Sequence, residues 1–370
     1  MLSFRNRTAA FSTAFSLLLV IYFFGSSNNV KAVGLSQGLR LQKPYDTKKE
    51  NYVKLSDTLD GYVAMYKIRS ENVVPKVSAT VQVSWNKIAT VKVMSERWDG
   101  PISCSVLYEG DKKSMEKDMQ ALVDSWPKRA QPIVFHMVLQ KAKTEKDMYP
   151  INIMRNFSME HAQTDIVFII DADFVPSKDA WEKLLTWIYE RDGIMALKQK
   201  NALVVPAFEY KLQNRDVIPL EELPSTKEKL LQRLDSDDLI KPFHIEYFSK
   251  GHKPTDYNKW YKGIAPYEAR WEPRYEPYVV VDRNRAPRFW ENFVGFGYNK
   301  LSFIMELHMD GFKFHVIPDV FLIHRNHPGR EERRSDTRMQ IEYTERFRSY
   351  LKQKYNREYI WDFDCPQQRC

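Results

Sequence analysis

The chain of 370 residues has only three cysteines, Cys104, Cys365 and Cys370. Their spacing fits no metal-ligand pattern, which excludes a zinc module. Two readings of them stay open: Cys365 and Cys370 pair across a short loop, or all three remain thiols. Long basic blocks are also missing. The Lys/Arg-rich run RNHPGREERR at 325–334 is interrupted by acids, which argues against a nucleic-acid binder despite a net charge of +8. That mild positive balance suits a small anionic ligand, such as a nucleotide or an acidic sugar. No internal repeat or low-complexity tract is present. The amino-terminal apolar stretch AAFSTAFSLLLVIYFF, residues 9–24, is shorter than the roughly 20 residues that cross a bilayer.

That stretch nevertheless carries information. Arg5 and Arg7 precede it, and no charge interrupts it. As a signal anchor, it leaves residues 1–8 as a cytosolic tail by the positive-inside rule. As a signal peptide, it is cleaved near Val30-Lys31-Ala32. Either way the remainder enters the secretory pathway. Residues 25–76 read as a polar stem, with some local structure near YVAMYKI, and 77–370 as the globular part.

From residue 77 strands and helices alternate. VSATVQVS, PISCSVLYE, PIVFHMVLQ and DIVFII read as strands. WNKIATVKVMSERW, DKKSMEKDMQALVDSW and YPINIMRNFSMEHA read as the helices between them. This is the pattern of a parallel sheet covered by helices on both faces, and IVFII fits a strand buried on both sides. The sequon Asn156-Phe157-Ser158 falls inside an apolar-periodic helix and is not expected to carry a glycan.

The fourth strand ends in Asp171-Ala172-Asp173. Crowded carboxylates repel unless a cation lies between them. Ligands of open α/β sheets bind beyond the carboxyl ends of strands. The pair therefore suits Mg²⁺ or Mn²⁺ bridging protein carboxylates to phosphates. Two other readings compete. The acids are solvated caps of the next helix, SKDAWEKLLTWIYE, or the strand is the nucleophile strand of a haloacid-dehalogenase-type phosphatase. The phosphatase requires that strand near the start of its domain, whereas three β/α units precede it here. Its later acidic pair is also wanting, because Asp237-Asp238 lies in the polar run RLDSDDLI.

The carboxy-terminal half is less periodic. ALVVPAFEY reads as one further strand, and 211–290 as loops rich in Tyr, Trp and Pro that suit sugar binding or plain packing. NKLSFIMELHMDG reads as a helix ending at Gly311, and FKFHVIP and VFLIH as strands. His324 closes the last of these as Asp171 closes IVFII, which makes it a candidate third metal ligand. His308, His315 and His327 are weaker candidates.

The motifs WDGPIS (98–103), YPINIMRN (149–156), IIDADFVPS (169–177), ALVVPAFE (202–209), PTDYNKW (254–260), GFGYNKLS (295–302), ELHMDGFKF (306–314) and FLIH (321–324), with the terminal Arg369-Cys370, resemble glycosyltransferase family 49. The likeness is greatest to members that transfer glucuronic acid in extending the O-mannosyl glycan of dystroglycan. The resemblance covers residue 78 to the end. It implies an α/β, Rossmann-like GT-A fold: one catalytic domain with a mixed sheet flanked by helices, behind the amino-terminal anchor. It implies an inverting β-1,4-glucuronyltransferase using a UDP-sugar, a glycan acceptor and Mn²⁺, or Mg²⁺ in its place, as a type II protein of the Golgi membrane. Asp171 and Asp173 match the family's D-x-D, and His324 its downstream histidine. Asn152, Arg155 and Asn156 match a helix expected against the nucleotide-sugar. Arg155 there pairs with a phosphate or a uronic carboxylate. Glu291 and Glu306 are the candidate bases. One departure stands out: the family's Phe-Asp-Glu run is Phe289-Trp290-Glu291 here. If the missing aspartate serves the acceptor, the alternative is a non-catalytic, glycan-binding relative.

Overall fold

Four apolar runs form a parallel core, in the order β5-β4-β3-β6. These are β3 (Val77–Ser84), β4 (Ile102–Glu109), β5 (Ile133–Gln140) and β6 (Ile166–Ile169). The helices Ala89–Ser95, Lys112–Ser125 and Ile151–Glu160 connect them. The second begins at Asp111, whose Oδ1 accepts from the Ser114 N–H at 2.9 Å, a cap worth about 1 kcal/mol. The computed structural model describes residues 52–55, 59–68, 76–140, 148–191, 193–211, 218–236, 239–325 and 337–357. The segment 9–24, Cys365, Cys370, Asp237, Asp238 and His327 lie outside them. Among the described residues no helix is long and apolar enough to cross a membrane.

The continuous apolar character of β6 has the expected cause. Ile166 and Phe168 pack into the cluster on one face of the sheet, and Val167 and Ile169 into the cluster on the other. Burying Phe168 alone stabilises the fold by about 1.5–3 kcal/mol. The sheet extends further than 77–370, because β1 (Tyr52–Lys54) and β2 (Leu59–Ile68) come from the segment read as stem. Here β2 pairs antiparallel with β5. Leu59 and Val63 cover Met154 and Phe157 of the 151–160 helix.

Sequence periodicity did not reveal the antiparallel strand at the centre of the sheet. β12 (Tyr278–Asp282) closes an aromatic, Pro-rich stretch and lies antiparallel between β6 and β8 (Asn201–Val205). β13 (Lys313–Val316) then runs parallel to β8, and β11 (Tyr267–Ala269) forms the edge. A second sheet has the order β10-β9-β14-β7, where β7 is Phe174–Pro176, β9 Ala207–Tyr210, β10 Ile240–Pro242 and β14 Leu322–His324. ALVVPAFEY is thus two strands rather than one. Pro206 has no N–H to continue the ladder, and there the chain passes from β8 into β9. The chain also changes sheets after β6, into β7, and after β13, into β14.

The helix Asn299–Met309 packs on the sheet through Phe303, Ile304 and Leu307. Its outer residues Met305 and Met309 receive Phe347 and Leu351 of the last helix, Thr337–Tyr355.

Candidate functional site

Asp171 and Asp173 occupy the short link where the chain leaves β6 of the large sheet for β7 of the small one. The small sheet decides what meets Asp173. β7 pairs antiparallel with β14, with Phe174 opposite His324. The Arg325 N–H donates to the Asp173 carbonyl at 2.8 Å. His324 Nε2 therefore stands 3.3 Å from Asp173 Oδ2, although 151 residues separate the two in sequence. Phe174 and Phe243 pack on the imidazole, with ring centroids 5.1 and 5.2 Å away. Burial alone would lower the imidazole pKa, but the Asp173 carboxylate, helped by Glu209 and Asp171, raises it. Glu209 lies beside His324 in the parallel β9–β14 pairing. Burial holds its carboxyl above the ordinary glutamate value, against the pull of Lys241 at 3.7 Å.

Asp171 has different partners. Arg155 Nη2 donates to its Oδ1 at 2.9 Å, and the Tyr278 hydroxyl to its Oδ2 at 3.0 Å. Lys300 Nζ stands 3.5 Å from the same Oδ2. Burial pushes this carboxyl up, but the charges of Lys300 and Arg155 outweigh it and hold the group well below the usual aspartate range. Among the described residues no group of three or more His, Cys, Asp or Glu side chains converges to hold a metal. The structure brings together two of the three expected ligands, Asp173 and His324. A carboxylate oxygen and an imidazole nitrogen at that separation suit a Mn²⁺-type ion. Asp171 faces cations instead.

The 151–160 helix braces the site from behind. Asn152 Nδ2 donates to the carbonyls of Trp290 (2.8 Å) and Asn299 (3.3 Å). Arg155 Nη1 donates to Asn299 Oδ1 at 2.7 Å. Asn156 Nδ2 donates to the Phe289 carbonyl at 2.9 Å and to Glu291 Oε1 at 2.8 Å, and its Oδ1 accepts from the Phe289 N–H. All three side chains are buried, and Asn156, 1% exposed, has no room for a glycan.

The two candidate bases share one cleft of about 250 Å³, lined with them by Arg288, Trp290, Asn292 and Tyr350. Glu291 is partly exposed and bonded to Arg288 Nη2 at 2.9 Å. Glu306 is 1% exposed, and its Oε1 accepts from Lys354 (2.8 Å), Tyr350 (2.9 Å) and Tyr355 (3.3 Å). Trp290 packs its ring on Phe347 and Tyr350, at 5.0 and 4.6 Å. Trp290 thus gives the last helix a seat. His308 stacks on Trp271, and His315 bonds Asn201 Oδ1 at 2.7 Å.

Sequence reasoning passed over Lys300, Tyr278 and Glu209. Two of them stood inside quoted motifs, GFGYNKLS and ALVVPAFE, with no chemistry assigned. The loop before Lys300 did carry a local signal. Gly295, Gly297 and Tyr298 all have positive φ (64°, 99° and 55°), a coil that two glycines make accessible. The strained Tyr298, at a cost of about 1–3 kcal/mol, turns the chain so that Asn299 and Lys300 start the helix at the site.

Residues 139–360 match the family described as glycosyl-transferase for dystroglycan. The chain is similar to the xylosyl- and glucuronyltransferase LARGE2s of Gallus gallus, with 35% identity over 257 residues, 68% of this chain and 32% of that protein. It is similar also to the xylosyl- and glucuronyltransferase LARGE1 of Homo sapiens, with 33% identity over 254 residues, 68% of this chain and 31% of that one. It spans about a third of the length of these curated relatives. A solved structure of GalNAc-T7 with UDP, GalNAc and Mn²⁺ aligns at a TM-score of 0.38 and 11% identity, over 69% of this chain and 45% of that one, which is too slight to bear on the fold.

Proposed function

The chain belongs to the family of glycosyl-transferases for dystroglycan, and we propose that it moves glucuronic acid from UDP-glucuronic acid to a glycan acceptor, with inversion and with the help of Mn²⁺. The observation that carries this reading is the approach of His324 to Asp173 at the exit of β6. Asp173 and His324 would hold the ion, which when bound neutralises charge on the departing diphosphate. Asp171 then holds the link in shape through Arg155, Tyr278 and Lys300. In the cleft between Trp290 and Tyr350 aromatic faces, an arginine and two acids meet, a combination that suits a sugar acceptor. Glu291 is the accessible acid there and takes the proton of the attacking hydroxyl. Help of that kind is worth roughly 10²–10⁴-fold. Glu306 is committed to the last helix instead. The reading includes a lumenal Golgi domain tethered by residues 9–24.

The test is UDP release by the full chain with a panel of UDP-sugars, with and without Mn²⁺. UDP-glucuronic acid should be preferred, and Asp173→Asn should abolish the Mn²⁺-dependent turnover without unfolding the protein. Full activity in that variant removes the pair from the mechanism.

A further inference from the structure

The site contains two buried cations, and they differ in what they still have to offer. Arg155 has both terminal nitrogens engaged, Nη1 by Asn152 and Asn299 and Nη2 by Asp171. The Lys300 side chain is 8% exposed, yet its ammonium has only an ion-pair neighbour, Asp171 Oδ2 at 3.5 Å, and the face of the Tyr278 ring 3.7 Å from Nζ. Among the described residues Nζ makes no hydrogen bond. An ammonium carries three N–H donors. Nζ is not among the fully buried unpartnered atoms, so it keeps access to solvent and its donors are open to an arriving anionic oxygen.

The surroundings fit an incoming anion. Asp171 divides one negative charge between Arg155 and Lys300, and it also accepts from Tyr278. Glu276 is the second acid in this field, and burial raises its carboxyl above the ordinary value despite both cations. Lys300 is the second residue of the 299–309 helix, at whose start Asn299 accepts from Arg155 Nη1 and donates to the Gly295 carbonyl.

We propose that Lys300 is the residue that receives an anionic group of the donor, either a diphosphate oxygen or the carboxylate of a uronic acid. This rests on the UDP-sugar reading above. It moves the anion-binding role from Arg155, to which the sequence pointed, to the neighbouring cation.

The experiment measures the affinity of the full chain, with Mn²⁺ present, for UDP, UDP-xylose and UDP-glucuronic acid, in the wild type and in Lys300→Gln. Binding should weaken about 10- to 100-fold, the worth of a charged hydrogen bond. Weakening for all three ligands places the diphosphate on Lys300. Weakening for UDP-glucuronic acid alone places the carboxylate there. Unchanged affinities in a folded Lys300→Gln protein overturn the assignment. Should that variant unfold, ¹³Cε-lysine NMR of the wild type decides, with the signal identified through Lys300→Arg. The Lys300 signal should move on adding UDP or UDP-glucuronic acid, and a signal that moves with neither overturns the proposal. A wild type that binds no UDP-sugar removes the enzyme reading as well, which separates the two failures.

Discussion

The helix Asn299–Met309 carries one charged cluster at each end, and the two clusters are built alike. At its start Asp171 meets Arg155, Lys300 and a tyrosine hydroxyl. At its far end Glu306 meets Lys354 and the hydroxyls of Tyr350 and Tyr355. Their geometry differs in one respect. All three partners of Glu306 reach the same oxygen within hydrogen-bonding distance, and all come from the last helix. The cations around Asp171 come from two elements, one of them without a hydrogen bond, and the cluster borders the Asp173–His324 pair. A carboxylate bonded three times by one helix serves as a fastening. A carboxylate that shares its charge beside an unfilled donor serves as a binding place.

The comparison is broken most directly by setting Asp173→Asn against Glu306→Ala. The first should lower sugar transfer by about 100-fold or more at nearly unchanged stability. The second should cost about 2 kcal/mol of stability through lost charge-assisted bonds, yet keep the activity of the folded fraction within about twofold. A large activity loss in folded Glu306→Ala would return Glu306 to the chemistry. Next in size is Trp290→Ala. With the indole half-buried, about 1–2 kcal/mol of packing should be lost, and hydrogen exchange should speed up in 337–355 and not in 151–160. Equal protection of 337–355 in Trp290→Ala and the wild type would show that the tryptophan does not hold the helix.

The smallest effect concerns a cluster remote from both ends. His136 is wholly buried between Phe157 and His161, and its Nε2 is 2.9 Å from Ser103 Oγ. Burial, with a contribution from His161, lowers its pKa from 6.5 to about 3. Between those values the unfolded chain binds the proton and the folded one does not. Stability is therefore complete above about pH 6.5 and falls as the pH drops towards 3. Denaturant titrations from pH 7 to 4 should show a shallower loss in His136→Asn than in the wild type. Asp171 adds a second loss in the same direction at lower pH, because its depressed carboxyl contributes stability only while ionised.

The two halves of the chain were not equally legible. From β3 to β6 the strands are β-rich, alternating in β3 and continuously apolar in β6, and helical segments separate them, so burial writes itself into local periodicity. The end of β6 was legible for the same reason, since Asp171 and Asp173 interrupt an apolar run. β12 was not, because YVVVD follows a stretch in which aromatic loops blur any period. The division of ALVVPAFEY was signalled only by Pro206, and a proline does not say which sheet the next residues join. Arg155 was expected against the nucleotide-sugar, and in the structure its side chain is engaged by Asn152, Asn299 and Asp171. Lys300 went unnoticed because an isolated lysine at a helix start is ordinary.

By itself the sequence determined the alternation of strands and helices, the family and the position of the acidic pair at a strand's end. Each of these follows from neighbours along the chain, where side-chain burial repeats with the period of the element. Tertiary structure alone decided that His324 meets Asp173, that Arg155 and Lys300 divide Asp171, and that Glu306 fastens the last helix. Those contacts join segments far apart in sequence through strands of three residues and single side chains, which are too short to leave a period for the sequence to show.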